Sequence, residues 1–105
     1  MRCERLDYIT SDGGMRVDFD FCDCGFANGW RAYIKSDINY GDRSTSFHAT
    51  HRLSDSRGIY ICWDQKVPSF EAMKAIASLW VDTTYVYIGS NDSFDEIAKR
   101  LMKYR

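Results

Sequence analysis

The sequence lacks the features that would place it in a membrane or in one of the common enzyme classes. No apolar run approaches the roughly 18 residues that a membrane-spanning helix needs. Residues 1–7 contain no apolar region of the kind that a secretory signal peptide requires. No phosphate-binding glycine loop, serine elbow or paired-carboxylate motif is present. We therefore expect a cytoplasmic protein with no membrane partner, no catalytic residues, no cofactor and no enzymatic activity.

An excess of either charge is also absent. The 14 basic and 15 acidic side chains give a net charge of −1 at pH 7, whereas a dedicated DNA-binding domain is usually much more basic. The length and the 45 % hydrophobic content suit a single globular domain, residues 1–105. Aromatic residues make up 15 %, which is high for so small a core. Some aromatic rings should therefore lie on the surface, which favours a binding role.

Cysteine and histidine are too unfavourably spaced to predict a metal site. Cys22 and Cys24 are separated by one residue, whereas paired zinc ligands usually stand two to four residues apart on a turn. In a strand, His48 and His51 would point to opposite faces. In a reducing cytosol all four cysteines should stay free thiols. The sequence therefore predicts no bound metal and no disulfide.

Residues 59–88 are the longest apolar part of the chain, and we expect the rest to pack around them. Residues 59–63 have the composition of a buried strand, and Pro68 marks the turn that follows. Ser69 then stands where a helix N-cap belongs, because its hydroxyl can accept a hydrogen bond from the first turn. The next apolar residues recur at helical spacing: Phe70, Met73, Ile76 or Ala77, Trp80, Thr84 and Tyr87.

Two structures suit residues 81–88. Their β-branched and aromatic side chains are typical of a strand. No turn signal interrupts them, however, and Gly89 is a natural C-terminal stop for a helix. We therefore predict one helix from Phe70 to about Ile88.

A β-hairpin is predicted over residues 5–24. The Asp12-Gly13 pair suits a tight turn, and apolar residues alternate with polar ones from residue 15 to 22. A turn centred between these two residues sets the register of the strands. It places Leu6 opposite Phe19 and Tyr8 opposite Val17 on the core side, and Cys3 opposite Cys22 and Asp7 opposite Asp18 on the solvent side.

Three further strands are predicted at residues 30–37, 47–53 and 59–63. A capping box of Ser93 and Glu96 then opens a second, C-terminal helix. The predicted fold class is α+β: an antiparallel sheet of about five strands with two C-terminal helices, the longer packed on one sheet face.

The hairpin offers the first candidate binding surface, an acidic one. Directly opposed carboxylates destabilise a strand pair, so an acidic face retained at that cost suggests a use. A solvated face without function is the alternative. The candidate partner-binding residues are Asp7, Asp18, Asp20 and Asp23.

The central strands offer a second candidate surface, because alternation places basic and aromatic side chains on one face. Such side chains contact phosphates and stack on bases. The candidate nucleic-acid-binding residues are Arg31, Tyr33, Lys35, His48, Arg52 and Tyr60. Three antiparallel strands followed by a helix resemble the AP2-type and integrase-arm DNA-binding domains over about residues 29–80. That resemblance implies that the sheet would lie in the major groove.

The chain resembles the small inhibitor proteins of phages and mobile elements, in particular anti-CRISPR proteins. The likeness lies in its small size, its many aromatic residues, its acidic N-terminal edge and its basic C-terminal helix, which carries Lys99, Arg100 and Lys103. The resemblance implies a protein partner, a nucleic-acid-guided nuclease. The acidic hairpin would then imitate phosphates and occupy the nucleic-acid-binding surface of that nuclease. Two alternatives remain open: direct binding of DNA or RNA by the sheet face, and a homodimeric structural or regulatory module.

Overall fold

The computed structural model describes residues 1–104 and has an α+β fold, as predicted. All strand pairs of its five-stranded sheet are antiparallel, and the strand order is β1-β2-β3-β5-β4. The elements are β1 (Arg2–Ile9), β2 (Arg16–Asp23), β3 (Trp30–Ile34), α1 (Phe47–Thr50), β4 (Arg52–Asp55), β5 (Gly58–Ile61), α2 (Phe70–Ile88) and α3 (Phe94–Met102).

The long helix α2 has the predicted bounds. The hydroxyl of Ser69 caps it by accepting from the backbone N–H of Ala72 at 3.1 Å. Residues 81–88 are helical, and two of their β-branched side chains bond back to the preceding turn: Thr83 and Thr84 donate to the carbonyls four residues earlier, each at 2.7 Å. Within the described chain, neither α2 nor any shorter helix combines the length and apolarity that a bilayer crossing requires.

The core lies between α2 and the sheet. Helix α2 packs against β1, β2 and β3. Trp80 is only 3 % exposed, and its ring meets that of Phe19 edge-on at 6.3 Å. Phe94, at the start of α3, packs against Trp80. Ser93 caps α3 as predicted, by accepting from the backbone N–H of Glu96 at 3.2 Å, and its hydroxyl donates to the Glu96 carboxylate at 3.1 Å. The stripe predicted on α2 is buried at Met73, Ala77, Trp80, Thr84 and Tyr87.

The hairpin register is as predicted, including the opposed pairs of Asp7 with Asp18 and of Cys3 with Cys22. Leu6 lies on the core side but remains 41 % exposed, because β1 is the edge strand of the sheet.

The prediction of four free thiols is wrong. Cys3 and Cys22 form a disulfide, and the free cysteines are Cys24 and Cys62. The register places the first two cysteines directly opposite each other with their Cα atoms 4.1 Å apart, which leaves their side chains adjacent on the same face. A reducing compartment favours free thiols, but it does not prevent a bond between two cysteines that the register holds in contact.

The strand predicted over residues 47–53 is also wrong. Phe47–Thr50 is a one-turn helix, capped by Ser46, whose hydroxyl accepts from the backbone N–H of Ala49 at 3.1 Å. His51 ends it in the left-handed conformation, with φ 53°. The chain then forms β4, which pairs with β5 on the edge of the sheet. Three antiparallel strands still precede α2, but β5 lies in the middle, β4 at the edge, and α1 is inserted before β4.

Candidate functional site

The face of the sheet opposite α2, which we call the outer face, has no helix of the described chain over it. Residues paired across neighbouring strands share a face, so the register identifies the side chains on it. The acidic hairpin and the basic-aromatic strands predicted as two alternative sites therefore belong to one continuous surface. Its polar and aromatic members in β1 to β5 are Arg5, Asp7, Arg16, Asp18, Asp20, Arg31, Tyr33, Asp55 and Tyr60.

The hairpin part of the outer face keeps an uncompensated negative charge. Asp7 and Asp18 lie opposite each other, and both pair with Arg16: its Nε lies 2.6 Å from Asp7 Oδ2 and its Nη2 lies 3.1 Å from Asp18 Oδ1. The hydrogen bond from Arg16 is the main reason that the pKa of Asp7 is lowered. Two carboxylates share one guanidinium, so one negative charge remains.

A third carboxylate, Asp12, lies in the turn of the same hairpin. It accepts hydrogen bonds from the backbone N–H of Gly14 at 2.8 Å, from the Tyr85 hydroxyl at 2.7 Å and from the Thr10 hydroxyl at 3.0 Å. These donors, Gly14 first, lower the pKa of Asp12. The bond from Tyr85 also fixes the turn to α2. Asp12 therefore lies towards α2 and not on the outer face, and we call only Asp7 and Asp18 the acidic end.

The other two predicted acidic residues lie outside the acidic end, and only Asp20 is paired with a cation. Arg5 lies directly opposite Asp20, and its Nη2 donates to Asp20 Oδ2 at 3.2 Å, which lowers the pKa of that carboxyl. Asp23 accepts from the backbone N–H of Gly25 at 3.1 Å at the far end of β2. The predicted four-residue acidic set is therefore divided, and only Asp7 and Asp18 belong to the acidic end.

On β3 and its neighbours, the basic and aromatic side chains satisfy one another. Asp55 Oδ2 accepts from Arg31 Nη1 at 2.8 Å and from the Tyr33 hydroxyl at 2.7 Å. The Arg31 guanidinium also lies 4.4 Å over the ring of Tyr60. Tyr33 is only 3 % exposed, and burial followed by its bond to Asp55 raises its pKa. The Tyr33 ring is therefore not free to stack on a base, and one face of Tyr60 is already covered.

Two further members of the predicted nucleic-acid set lie elsewhere. His48 is exposed on the short helix α1. Arg52 is opposite Ile61 in the ladder and therefore on the core side of the sheet, where it lies 5.1 Å over the ring of Tyr40 and donates to the Thr45 carbonyl at 2.7 Å. Both placements follow from the one-turn helix, which changes the alternation expected for residues 47–53.

Lys35 and Arg57 are the free cations of this region. Both are exposed, and neither side chain makes an ion pair within residues 1–104. They line a shallow depression of about 320 Å³ beside the disulfide, which also includes Tyr33. The outer face is thus acidic at the hairpin and basic around this depression.

Within the described residues, no three His, Cys, Asp or Glu side chains are grouped so that they could hold a metal ion. What the outer face presents instead is exposed charge, negative at the acidic end and positive at Lys35 and Arg57. No protein-family model, curated protein or solved structure matches the chain, so its function has to be inferred from this geometry.

Proposed function

We propose that the protein is a small, non-enzymatic, cytoplasmic binding protein of a phage or mobile element that inhibits a nucleic-acid-guided nuclease of a defence system. In this proposal the acidic end docks on the basic surface with which the nuclease holds its nucleic acid. One observation carries the proposal: Asp7 and Asp18 are opposed on an uncovered sheet face and share a single arginine.

The electrostatics of the acidic end support a basic partner. Directly opposed carboxylates cost stability, and Arg16 offsets only half of their charge. Both carboxyls are ionised at neutral pH, and the lowered pKa of Asp7 extends its ionisation into more acidic solution. Exposed charges act on a partner through an attraction that is screened over about 8 Å at physiological salt. Binding should therefore be fast and sensitive to salt.

The rest of the outer face favours a protein partner over a nucleic acid. Of the six side chains first considered for nucleic-acid contact, Tyr33 is buried, Arg31 is paired with Asp55, and two lie off this face. A free strand of nucleic acid would meet mainly Lys35 and the neighbouring Arg57, together with the repulsive acidic end. A protein surface can match both signs of charge at once.

An inhibition assay with paired charge variants tests the proposal. The probe is a panel of purified RNA-guided bacterial nucleases that cleave a labelled DNA duplex. Asp7→Asn combined with Asp18→Asn removes both carboxylates of the acidic end while keeping the side-chain shape. The control, Asp42→Asn combined with Asp64→Asn, removes the same charge from exposed loop positions outside that face.

We expect wild-type protein to inhibit a nuclease of the panel and the first variant to inhibit it about tenfold less. Two exposed charge contacts of about 0.2–1 kcal/mol each are lost, and Arg16, left without its carboxylates, repels a basic partner. The control should stay within about twofold of wild type. Equal inhibition by both variants would exclude the acidic end as the binding site. If no nuclease is inhibited, two results would replace the proposal. A direct shift of DNA on a gel would favour nucleic-acid binding, and a stable homodimer in sedimentation would favour the homodimeric module.

A further inference from the structure

A cavity of about 410 Å³ lies on the helix side of the sheet, away from the outer face. It exists because α2 covers β1 to β3, while α3 packs on α2 and leaves a wedge beside the end of β5. Cavities of about 300–1,000 Å³ are typical of small-molecule sites. The volume is therefore large enough for a ligand of one or two rings.

The walls of this cavity are apolar and fixed. Leu79 and Trp80 come from α2, Phe94 from α3 and Ile61 from β5, and all four are buried. The indole N–H of Trp80 donates to the carbonyl of Thr50 at 3.1 Å, so this ring exposes no unsatisfied polar group to the cavity. The walls favour a flat apolar ligand.

One end of the cavity holds an ordered polar group, His51. Its ring stacks on Phe94 at 4.7 Å, its Nε2 lies 2.9 Å from Asp95 Oδ1, and its carbonyl accepts from the N–H of Cys62 at 2.9 Å. A residue other than glycine at positive φ is costly, and these contacts hold it there.

The mouth of the cavity carries a free cation. Lys99 lies one helical turn after Asp95 on α3, is exposed, and makes no ion pair within the described residues. Asp95, four residues before Lys99 on α3, is paired with His51. A second carboxylate, Asp64, lies at the rim beside Cys62. An anionic group on a ligand would therefore be directed to the α3 side.

We infer that this cavity binds a small, mainly aromatic molecule with one anionic group, its rings against Trp80 and Phe94 and its anion at Lys99. The site is separate from the outer face, so it does not depend on the proposed inhibitor function. Neutral apolar molecules are the competing class, and the test below separates the two.

Two matched dyes serve as probes: 1-anilinonaphthalene-8-sulfonate and its uncharged analogue N-phenyl-1-naphthylamine, both of which fluoresce in apolar surroundings. Lys99→Ala should weaken the sulfonate dye about tenfold and change the neutral dye by less than about twofold. Ala98→Phe, which fills the cavity from α3, should abolish the binding of both. Ala75→Phe makes the same change at an exposed position of α2 outside the cavity and should leave both dyes unaffected.

Cysteine alkylation gives a second readout in the wild-type chain. Cys62 lines the cavity, whereas Cys24 lies next to Tyr33 on the outer side of the sheet. Saturating sulfonate dye should slow the reaction of Cys62 with iodoacetamide at least about fivefold and leave Cys24 unchanged. If Ala98→Phe fails to fold, the alkylation rate of Cys62 still shows whether the dye occupies the cavity.

Absence of wild-type fluorescence enhancement, unchanged binding in folded Ala98→Phe, or unprotected Cys62 would each overturn the site. Unchanged sulfonate binding in Lys99→Ala would overturn the anionic class.

Discussion

Replacing Trp80 by alanine should cost more stability than any other single truncation on α2. Trp80 is 3 % exposed, and its ring lies 6.3 Å from Phe19 and 6.4 Å from Phe94. Truncating a buried tryptophan typically costs about 3–5 kcal/mol through lost burial and the cavity left behind. The change also leaves the buried Thr50 carbonyl without its donor. We therefore expect about 4 kcal/mol, or roughly a thousandfold change in the unfolding equilibrium.

Two companion variants separate the contributions. Trp80→Phe keeps most of the packing but loses the hydrogen bond, and should cost about 1–3 kcal/mol. Ile76→Ala should cost only about 1–2 kcal/mol, because Ile76 is half-buried at the cavity wall. Urea unfolding followed by circular dichroism at 222 nm measures all three. Equal costs for Ile76→Ala and Trp80→Ala, or a cost below about 1 kcal/mol for the latter, would refute the packing argument.

Two further predictions concern the hairpin. Cys3→Ser should lower the unfolding free energy by about 3 kcal/mol, as expected for a link across a sequence separation of 19. Alkylation of denatured wild-type protein without reductant should label two thiols, and labelling of four would contradict the disulfide. The pKa values of Asp7, Asp12 and Asp20 are lowered below 3.8, so the stability they confer is complete above that pH and lost as the pH falls through the lower folded values. The unfolding free energy should therefore fall as the pH drops below about 4, and a rise there would contradict these ion pairs and hydrogen bonds.

Local signals in the sequence predicted the parts of the fold that local chemistry decides. Ser69 and Gly89 bound α2 correctly because cap residues satisfy the free N–H and C=O groups of a helix end. The Asp12-Gly13 turn fixed the register of the hairpin, since turn geometry determines which residues are opposed.

The short helix α1 could not be predicted from periodicity. Four residues are too few to show a helical repeat, and the composition of residues 47–53 suits a strand equally well. Its consequences were long-range: β4 became an edge strand, His51 became part of a cavity wall, and Arg52 moved to the core side. Strand order depends on contacts between distant residues, which no local pattern specifies.

The candidate site was only partly predicted, although the missing information was present in the register. Arg5 stands directly opposite Asp20, so their pairing could have been expected from the predicted hairpin. Arg16 lies diagonal to Asp7 and two residues before Asp18, within reach of both. The outer face is therefore less acidic than its carboxylates alone indicate, because Arg5 and Arg16 offset part of their charge.

The central claim is that the acidic end occupies a surface on which a nuclease binds nucleic acid, and a competition titration tests it most directly. The affinity of a catalytically inactive guided nuclease for a fluorescent DNA duplex is measured at increasing concentrations of this protein, at two salt concentrations. Occupation of the DNA surface predicts an apparent Kd for DNA that rises in proportion to the protein added, with a smaller effect at high salt. An apparent Kd that stays constant or levels off, while the protein remains bound to the nuclease, would contradict the claim.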